Sequence, residues 1–245
     1  MKMRPDQWTI APLVLATGVV EKSLTVFHRD HGVKKEGPVV AWLVTNGDRK
    51  ILVDTGIFGP SSASDKIGVF SRTPEQRMEV QLNRFSTTPK EIDLVINTHL
   101  HSDHCGGNAY FQGARFLVQK REMEYFKHPL PATRQEYDFE IREGDFELLD
   151  GDAEIAPGIK TILTPGHTVG SQAVLVETAS GLYVIAGDTV PHFENMEVPA
   201  NEPFWPTGLY IDLRELYESL HRLKSLGGFI LPGHDMLVLK KNIYP

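Results

Sequence analysis

The sequence predicts an α/β fold built as one layered domain over residues 1–245, and three observations carry that prediction. Short apolar runs bounded by turn residues crowd the beginning and the end of the chain, helical spacing lies between and after them, and no Pro-, Gly- or Ser-rich linker divides the sequence. A chain of 245 residues is long enough to bury one sizeable core.

Residues 8–16 read as an opening strand. Lys2 and Arg4 ahead of the apolar residues 10–16 loosely imitate a secretory leader, but Asp6 and Trp8 stand where a basic region belongs and no small-residue cleavage site follows. Strands are predicted over 23–27, 39–45 and 50–54, the last two joined by the Asn46-Gly47-Asp48 turn, a strong hairpin signal. Residues 75–85 have helical spacing, with Met78, Leu82 and Phe85 on one side, and Pro89-Lys90-Glu91 opens the next unit. A buried strand over 92–96 follows, then a turn over 108–111, a strand over 114–119, and a helix over 121–128 that Pro129 ends. Residues 129–145 are polar and aromatic and read as an irregular helical excursion. Short strands over 146–149, 153–156, 159–164, 173–178 and 182–186 read as hairpins, punctuated by Asp150-Gly151, Pro157-Gly158 and Ala179-Ser180-Gly181. A last helix over 213–226 stripes Leu216, Leu220 and Leu223, stops at Gly227-Gly228, and delivers a strand over 229–231.

Composition narrows the function. The chain is 41% hydrophobic and 23% charged with a formal charge of −7, which gives no electrostatic footprint for nucleic acid. No run reaches the ~18 apolar residues that span a bilayer, so no membrane partner is expected. The lone Cys105 excludes an intramolecular disulfide, fits a reducing cytoplasm, and is expected to point into the core. His28 and His31 lie in a polar loop and read as solvated.

The stretch Thr98-His99-Leu100-His101-Ser102-Asp103-His104 puts three imidazoles and a carboxylate into six consecutive positions after an apolar strand. A strand that ends and turns can aim such side chains at one point. With His at roughly 4% and Asp at about 6%, composition alone produces the pattern on the order of once per thousand chains of this length, so a metal site is the better reading. The same grammar recurs at Pro165-Gly166-His167, Gly187-Asp188 and Pro232-Gly233-His234, each after an apolar run, and glycine lets the backbone turn sharply there. Taken singly, His167 or His234 would pass for a hydrogen-bonded core histidine.

Seven candidate ligands exceed what one catalytic ion with an open position uses, and they fit two ions with a bridge. His99, His101 and His167 are assigned to the first ion, Asp103, His104 and His234 to the second, and Asp188 bridges. Nitrogen and oxygen donors without thiolate favour Zn2+, with Mn, Fe or Co as replacements.

This ligand set resembles the metallo-β-lactamase superfamily over residues 39–234, and Val53-Asp54-Thr55-Gly56 matches a further motif of that family. The resemblance implies a four-layer αββα sandwich: two mixed β-sheets face to face, helices on the outer faces, metals at one edge, and Asp54 supporting the site from behind the ligands. The five-histidine, two-aspartate set is similar to the dinuclear hydrolases of the family, whereas its flavodiiron branch replaces an early histidine by glutamate. His104-Cys105-Gly106-Gly107-Asn108 and the chain length are most similar to the N-acyl homoserine lactone lactonases. Those enzymes usually carry a tyrosine three residues after the bridging aspartate, where this chain has Pro191, with His192 and Tyr210 as candidate substitutes. They often carry a histidine where this chain has Ser171.

The implied reaction is the opening of a lactone ring by a metal-bridging hydroxide, with Asp103 and Asp188 as catalytic groups. Two cations lower the pKa of water from ~15.7 towards ~7, Asp103 orients the nucleophile or passes the proton on, and a lactone's alkoxide stays tethered nearby. The alternatives are an amide, aryl ester, thioester or phosphodiester as substrate, and a metal-binding scaffold without activity. A small apolar lactone or ester is the expected partner, and the resemblance adds a homodimer. Aromatics around the loop after Asp188 supply the candidate substrate contacts His192, Phe193, Phe204, Trp205 and Tyr210; a dimer contact or ordinary core remains an alternative for Phe204 and Trp205. Residues 129–143 are a candidate lid or dimer arm.

Overall fold

The computed structural model describes residues 7–57, 68–137, 139–141 and 145–245. Along the chain run β1 (Thr9–Glu21), α1 (Lys22–Thr25), β2 (Lys34–Thr45), β3 (Lys50–Val53), β4 (Gly68–Ser71), α2 (Met78–Asn83), β5 (Leu94–Ile96), α3 (Ser102–Cys105), β6 (Arg115–Gln119) and α4 (Lys120–Lys127). The second half adds β7 (Phe146–Leu149), β8 (Ala153–Ala156), β9 (Ile159–Leu163), β10 (Gln172–Thr178), β11 (Gly181–Ile185), α5 (Leu213–Ser225) and β12 (Phe229–Leu231).

The strands form a seven-stranded sheet in the order β4-β1-β2-β3-β5-β6-β7 and a five-stranded sheet in the order β12-β11-β10-β9-β8. Both are mixed: β3, β5, β6 and β7 run parallel while β1 and β2 pair antiparallel, and β12 joins β11 parallel at the edge of an antiparallel meander. The alternation of β2 decides the layering. Val40, Trp42 and Val44 face the other sheet, where Val174, Val176 and Ile185 meet them, while Ala41 and Leu43 face outward. On that outer face Met78 and Leu82 of α2 cover the larger sheet, and Leu216, Leu220 and Leu223 of α5 cover Ala173, Val184 and Ile230 of the smaller. The result is the αββα sandwich.

The Asn46-Gly47-Asp48 turn forms, with Asn46 Oδ1 accepting from the amides of Asp48 and Arg49 and Gly47 at φ +93°. Two expectations need correction. Residues 23–27 are not a strand: β1 pairs with β2 as far as Glu21↔Lys34, so the chain beyond Glu21 is the connection of that hairpin and coils into α1. Asp150-Gly151 does not turn a hairpin either. It carries the chain from β7 in one sheet to β8 in the other, held by Gln119, whose side chain donates to Gly151 O at 2.8 Å and accepts from its N–H at 2.9 Å. The excursion after α4 contains one 3-10 turn, Arg134–Tyr137; parts of the stretch read as lid or arm, and Lys2, Arg4 and Asp6, lie outside the described residues. Among the described residues no helix is long and apolar enough to cross a membrane.

Candidate metal centre

Strands β3, β5, β9, β11 and β12 each end at one edge of the sandwich, and the loop after each delivers a polar side chain there: Asp54, the His99–His104 cluster, His167, Asp188 and His234. Three overlapping groups bring their ligand-type atoms within 4.8 Å of one another: His99, His101 and His167; His99, His104 and Asp188; Asp103, His104 and His234. Asp188 stands between the outer two. Its Oδ1 lies 2.9 Å from His234 Nε2 and 3.2 Å from His104 Nε2, while Oδ2 lies 3.5 Å from His167 Nε2. Asp103 Oδ2 is 3.8 Å from Nε2 of both His104 and His234.

The far nitrogen of four imidazoles is tied down. His104 Nδ1 donates to Asp54 Oδ2 at 2.8 Å, His167 Nδ1 to Leu209 O at 2.8 Å, His234 Nδ1 to Pro38 O at 3.0 Å, and His99 Nδ1 to Thr98 Oγ1 at 3.1 Å. Such partners fix tautomer and ring orientation, leaving Nε2 as a lone-pair donor toward the centre. His101 differs: its Nδ1 faces His167 Nε2 at 3.2 Å.

Three buried atoms in the middle, His99 Nε2, His104 Nε2 and Asp188 Oδ1, have no hydrogen-bond partner. A buried polar atom left unpaired is costly, and three on facing side chains fit cations as the missing partner. Burial, reinforced by the neighbouring imidazoles, holds His99 and His101 well below the usual histidine range, the neutral form that a cation needs. Burial also opposes charge on His104 and His234, but Asp188 and Asp103, joined at His104 by Asp54, raise His104 well above the usual histidine range and lift His234 to about 9, so the carboxylates on this side call for positive charge that a divalent cation supplies in place of the protons. The residues present therefore fit a pair of divalent ions.

A cavity opens onto this cluster. His101, Asp103, His167 and Asp188 line one part of it; Phe70, Leu209, Tyr210 and Ile211 supply apolar walls, and Ser102, Thr133 and Glu136 of the 3-10 turn that follows Thr133 complete it. Burial pushes the Glu136 carboxyl up to about 7.

Of the five expected substrate contacts, only Tyr210 lines this cavity among the described residues. His192 is 1% exposed and bonds Thr25 Oγ1 through Nε2 at 3.1 Å. Phe193 packs on the core between the sheets, and Phe204 is buried under α5. Trp205 donates its indole N–H to Phe27 O at 2.8 Å and lies under the Arg29 guanidinium. The physical reason is that Asn195, just after the Pro191-His192-Phe193 turn, fastens the returning chain: its Nδ2 donates to Thr25 O, Trp205 O and Pro206 O. The aromatic pair is thereby held away from the centre, and the segment behind it carries Leu209 to Ile211 to the cavity.

The sequence does not single out Phe70, Ser102, Leu209 and Ile211 as cavity residues, and it marks Thr133 and Glu136 only as part of the candidate lid or arm over 129–143. The apolar run Leu209-Tyr210-Ile211 directly before Asp212, the N-cap of α5, was a readable signal for two of them. Phe70, on a four-residue edge strand, had none.

A family model described as the metallo-beta-lactamase superfamily matches residues 35–234. An N-acyl homoserine lactonase of Bacillus thuringiensis is 32% identical over 223 residues, covering 81% of this chain and 82% of its own. A probable metallo-hydrolase of Methanocaldococcus jannaschii is 30% identical over 66% of each chain. Among solved structures, an N-acyl homoserine lactone hydrolase with the product N-hexanoyl-L-homoserine at its catalytic metal center superposes with a TM-score of 0.79, at 26% identity over 98% of this chain and 96% of its own. A matched family spanning most of the chain, on the fold and ligand geometry described above, places this chain in the metallo-beta-lactamase superfamily.

Proposed function

We propose that this chain is a dinuclear metal-dependent hydrolase that opens lactone rings bearing an apolar substituent, with zinc as its metal. The observation that carries the reading is the joining of two elements: a cluster of five imidazoles and two carboxylates, and a cavity whose apolar walls are Phe70, Leu209, Tyr210 and Ile211. The relatives named as N-acyl homoserine lactonases support the lactone as the cyclic ester in question.

His99, His101 and His167 would hold one ion, Asp103, His104 and His234 the other, with Asp188 between them. Two divalent cations supply Lewis acidity for the ester carbonyl and make water acidic enough to deprotonate near neutral pH. The chain's own groups do the rest. Asp103, lining the cavity 3.8 Å from two imidazole nitrogens, accepts a proton from the attacking water and hands it to the ring oxygen as that bond breaks. Leu209, Tyr210 and Ile211 bury the substituent and exclude bulk water, and the Leu209 carbonyl simultaneously orients His167. A donor set without sulfur matches zinc.

The test is hydrolysis, followed by pH-stat on zinc-loaded protein, of short- and long-chain acyl homoserine lactones, an aromatic lactone, an aryl ester, an aryl amide and a phosphodiester. Lactone turnover that disappears in His101→Ala is expected. Cleavage of the amide or phosphodiester with no lactone turned over would overturn the substrate assignment and leave the metal centre intact.

A further inference from the structure

Glu122 is a fully buried acid outside the cluster of seven ligand-type residues. It sits on α4, is 0% exposed, and is surrounded by donors. Its Oε1 accepts from Leu100 N at 3.0 Å and from Tyr137 Oη at 3.3 Å; Oε2 accepts from Thr168 Oγ1 at 2.7 Å and from Gly170 N at 2.9 Å. Leu100 separates His99 from His101, and Thr168 follows His167. One carboxylate thus bridges the two loops that carry the three-imidazole group, and through Tyr137 it also reaches the 3-10 turn of the cavity wall. The Tyr137 ring in turn packs edge-on against His101, 5.1 Å between centroids.

A second observation bears on the same contact. A Cβ built on Gly170 would come within 2.4 Å of Glu122 N and 2.5 Å of Glu122 Cβ. Any other residue at 170 would push the His167 loop off α4, so the glycine serves this approach. Burial raises the Glu122 carboxyl, and the bonds from Leu100, Thr168 and Gly170 oppose that, so the four donors compensate the cost of placing an acid there.

We propose that Glu122 is a positioning residue for the metal centre: its carboxylate locks the His99–His101 loop to the His167 loop and so sets the spacing of those three imidazoles. The inference rests on the reading of these imidazoles as metal ligands. The two obligate N–H donors, Leu100 and Gly170, approach different oxygens, which makes the arrangement specific for a carboxylate. In Glu122→Gln one terminus becomes an NH2, and placed against Gly170 N–H or Leu100 N–H it opposes donor to donor.

The test titrates the metal-free protein with Co2+, reading the visible cobalt bands, the stoichiometry at equilibrium dialysis and the circular dichroism. The parent is expected to take up two ions. In Glu122→Gln the dissociation constant of one ion should rise about 10- to 100-fold, with its cobalt bands displaced, while the other ion binds as in the parent. Parent-like affinities and bands for both ions would overturn the proposal and leave the metal reading intact; a parent that binds no Co2+ would overturn the metal reading and this proposal together. Should Glu122→Gln fail to fold, Thr168→Val removes one donor to the same carboxylate; weakening of the same single ion by several-fold supports the proposal, and unchanged binding overturns it.

Discussion

Asp54 Oδ2 lies 2.8 Å from His104 Nδ1, and the same carboxylate accepts from both the N–H and the hydroxyl of Thr98, at 2.7 and 2.8 Å. Because Thr98 Oγ1 is also the partner of His99 Nδ1, one buried aspartate orients an imidazole from each three-ligand group, His104 directly and His99 through a hydroxyl. Asp54 holds this position at φ +60°, a left-handed conformation that aspartate and asparagine tolerate better than other side chains. Asp54→Asn therefore keeps the backbone while removing the charge and one acceptor. The expected result is metal affinity reduced about 10- to 100-fold with circular dichroism unchanged, read by competition against a chromophoric chelator. Parent-like affinity would show that Asp54 orients nothing that matters to the ions.

Parts of this arrangement were legible in the sequence for plain physical reasons. A strand ending in a ligand-rich loop is a local pattern, so the residues that converge at the edge could be named from their spacing. The sandwich followed from the family likeness alone, because residues 39–44 are apolar throughout and do not show in the sequence that Val40, Trp42 and Val44 face one layer and Ala41 and Leu43 the other. What could not be read depends on contacts distant in sequence. His192 and Trp205 look like pocket residues because they are aromatic and near Asp188, but Asn195 turns both toward the α1 connection. Glu122 looks like an ordinary helix-surface acid until the His99 and His167 loops close over it, and Phe70 reaches the cavity from an edge strand sixteen residues after Asp54 and twenty-nine before His99 in the sequence.

The burial of His192 makes stability depend on pH. Burial, followed by the charge of Lys35, depresses its pKa from 6.5 to about 3. Between those values the unfolded chain binds a proton that the folded chain refuses, so stability is lost as pH falls from 6.5 towards 3 and is fully present above 6.5. At pH 4.5 the loss is roughly 3 kcal/mol relative to pH 7. His192→Gln, which removes this proton, should lose that much less than the parent over the same interval in urea titrations of the metal-free protein. Parallel losses in the two proteins would mean that His192 is protonated in the fold.

Gly166 adopts φ +125°, and a Cβ there would sit 2.3 Å from both Cα and N of Leu216 in α5. Neither backbone atom can yield without moving the helix. Its carbonyl also accepts from Ile211 N at 2.7 Å and Asp212 N at 3.1 Å, which joins the His167 loop to the start of α5. Gly166→Ala should cost about 3 kcal/mol or more from strain and overpacking together, and it should lower metal occupancy through His167. Gly151→Ala is the control: Gly151 is at φ +90° with nothing within 4 Å of a built Cβ, so only the backbone term of about 1–2 kcal/mol applies. Equal costs for the two variants would remove the packing argument.

Tyr210 and Phe204 separate recognition from stability within one segment. Tyr210 is 38% exposed on the cavity wall, with its ring 5.7 Å from that of Phe27, whereas Phe204 is 8% exposed in the cluster beneath α5. Removing the Tyr210 ring deletes a surface that a substrate's apolar chain would cover, a contribution of about 1–2 kcal/mol, so Tyr210→Ala should raise KM for long-chain lactones on the order of 10-fold. The effect should shrink for short chains, which leave that wall untouched, and kcat should change little because the ligand-bearing side chains stay in place. Phe204→Leu should do the reverse, lowering the urea midpoint by the equivalent of about 1–2 kcal/mol while leaving the chain-length profile of KM alone. If Phe204→Leu reshaped the chain-length profile and Tyr210→Ala did not, the substrate would lie over the aromatic pair after all, and the cavity bounded by Leu209, Tyr210 and Ile211 would not be where the acyl group binds.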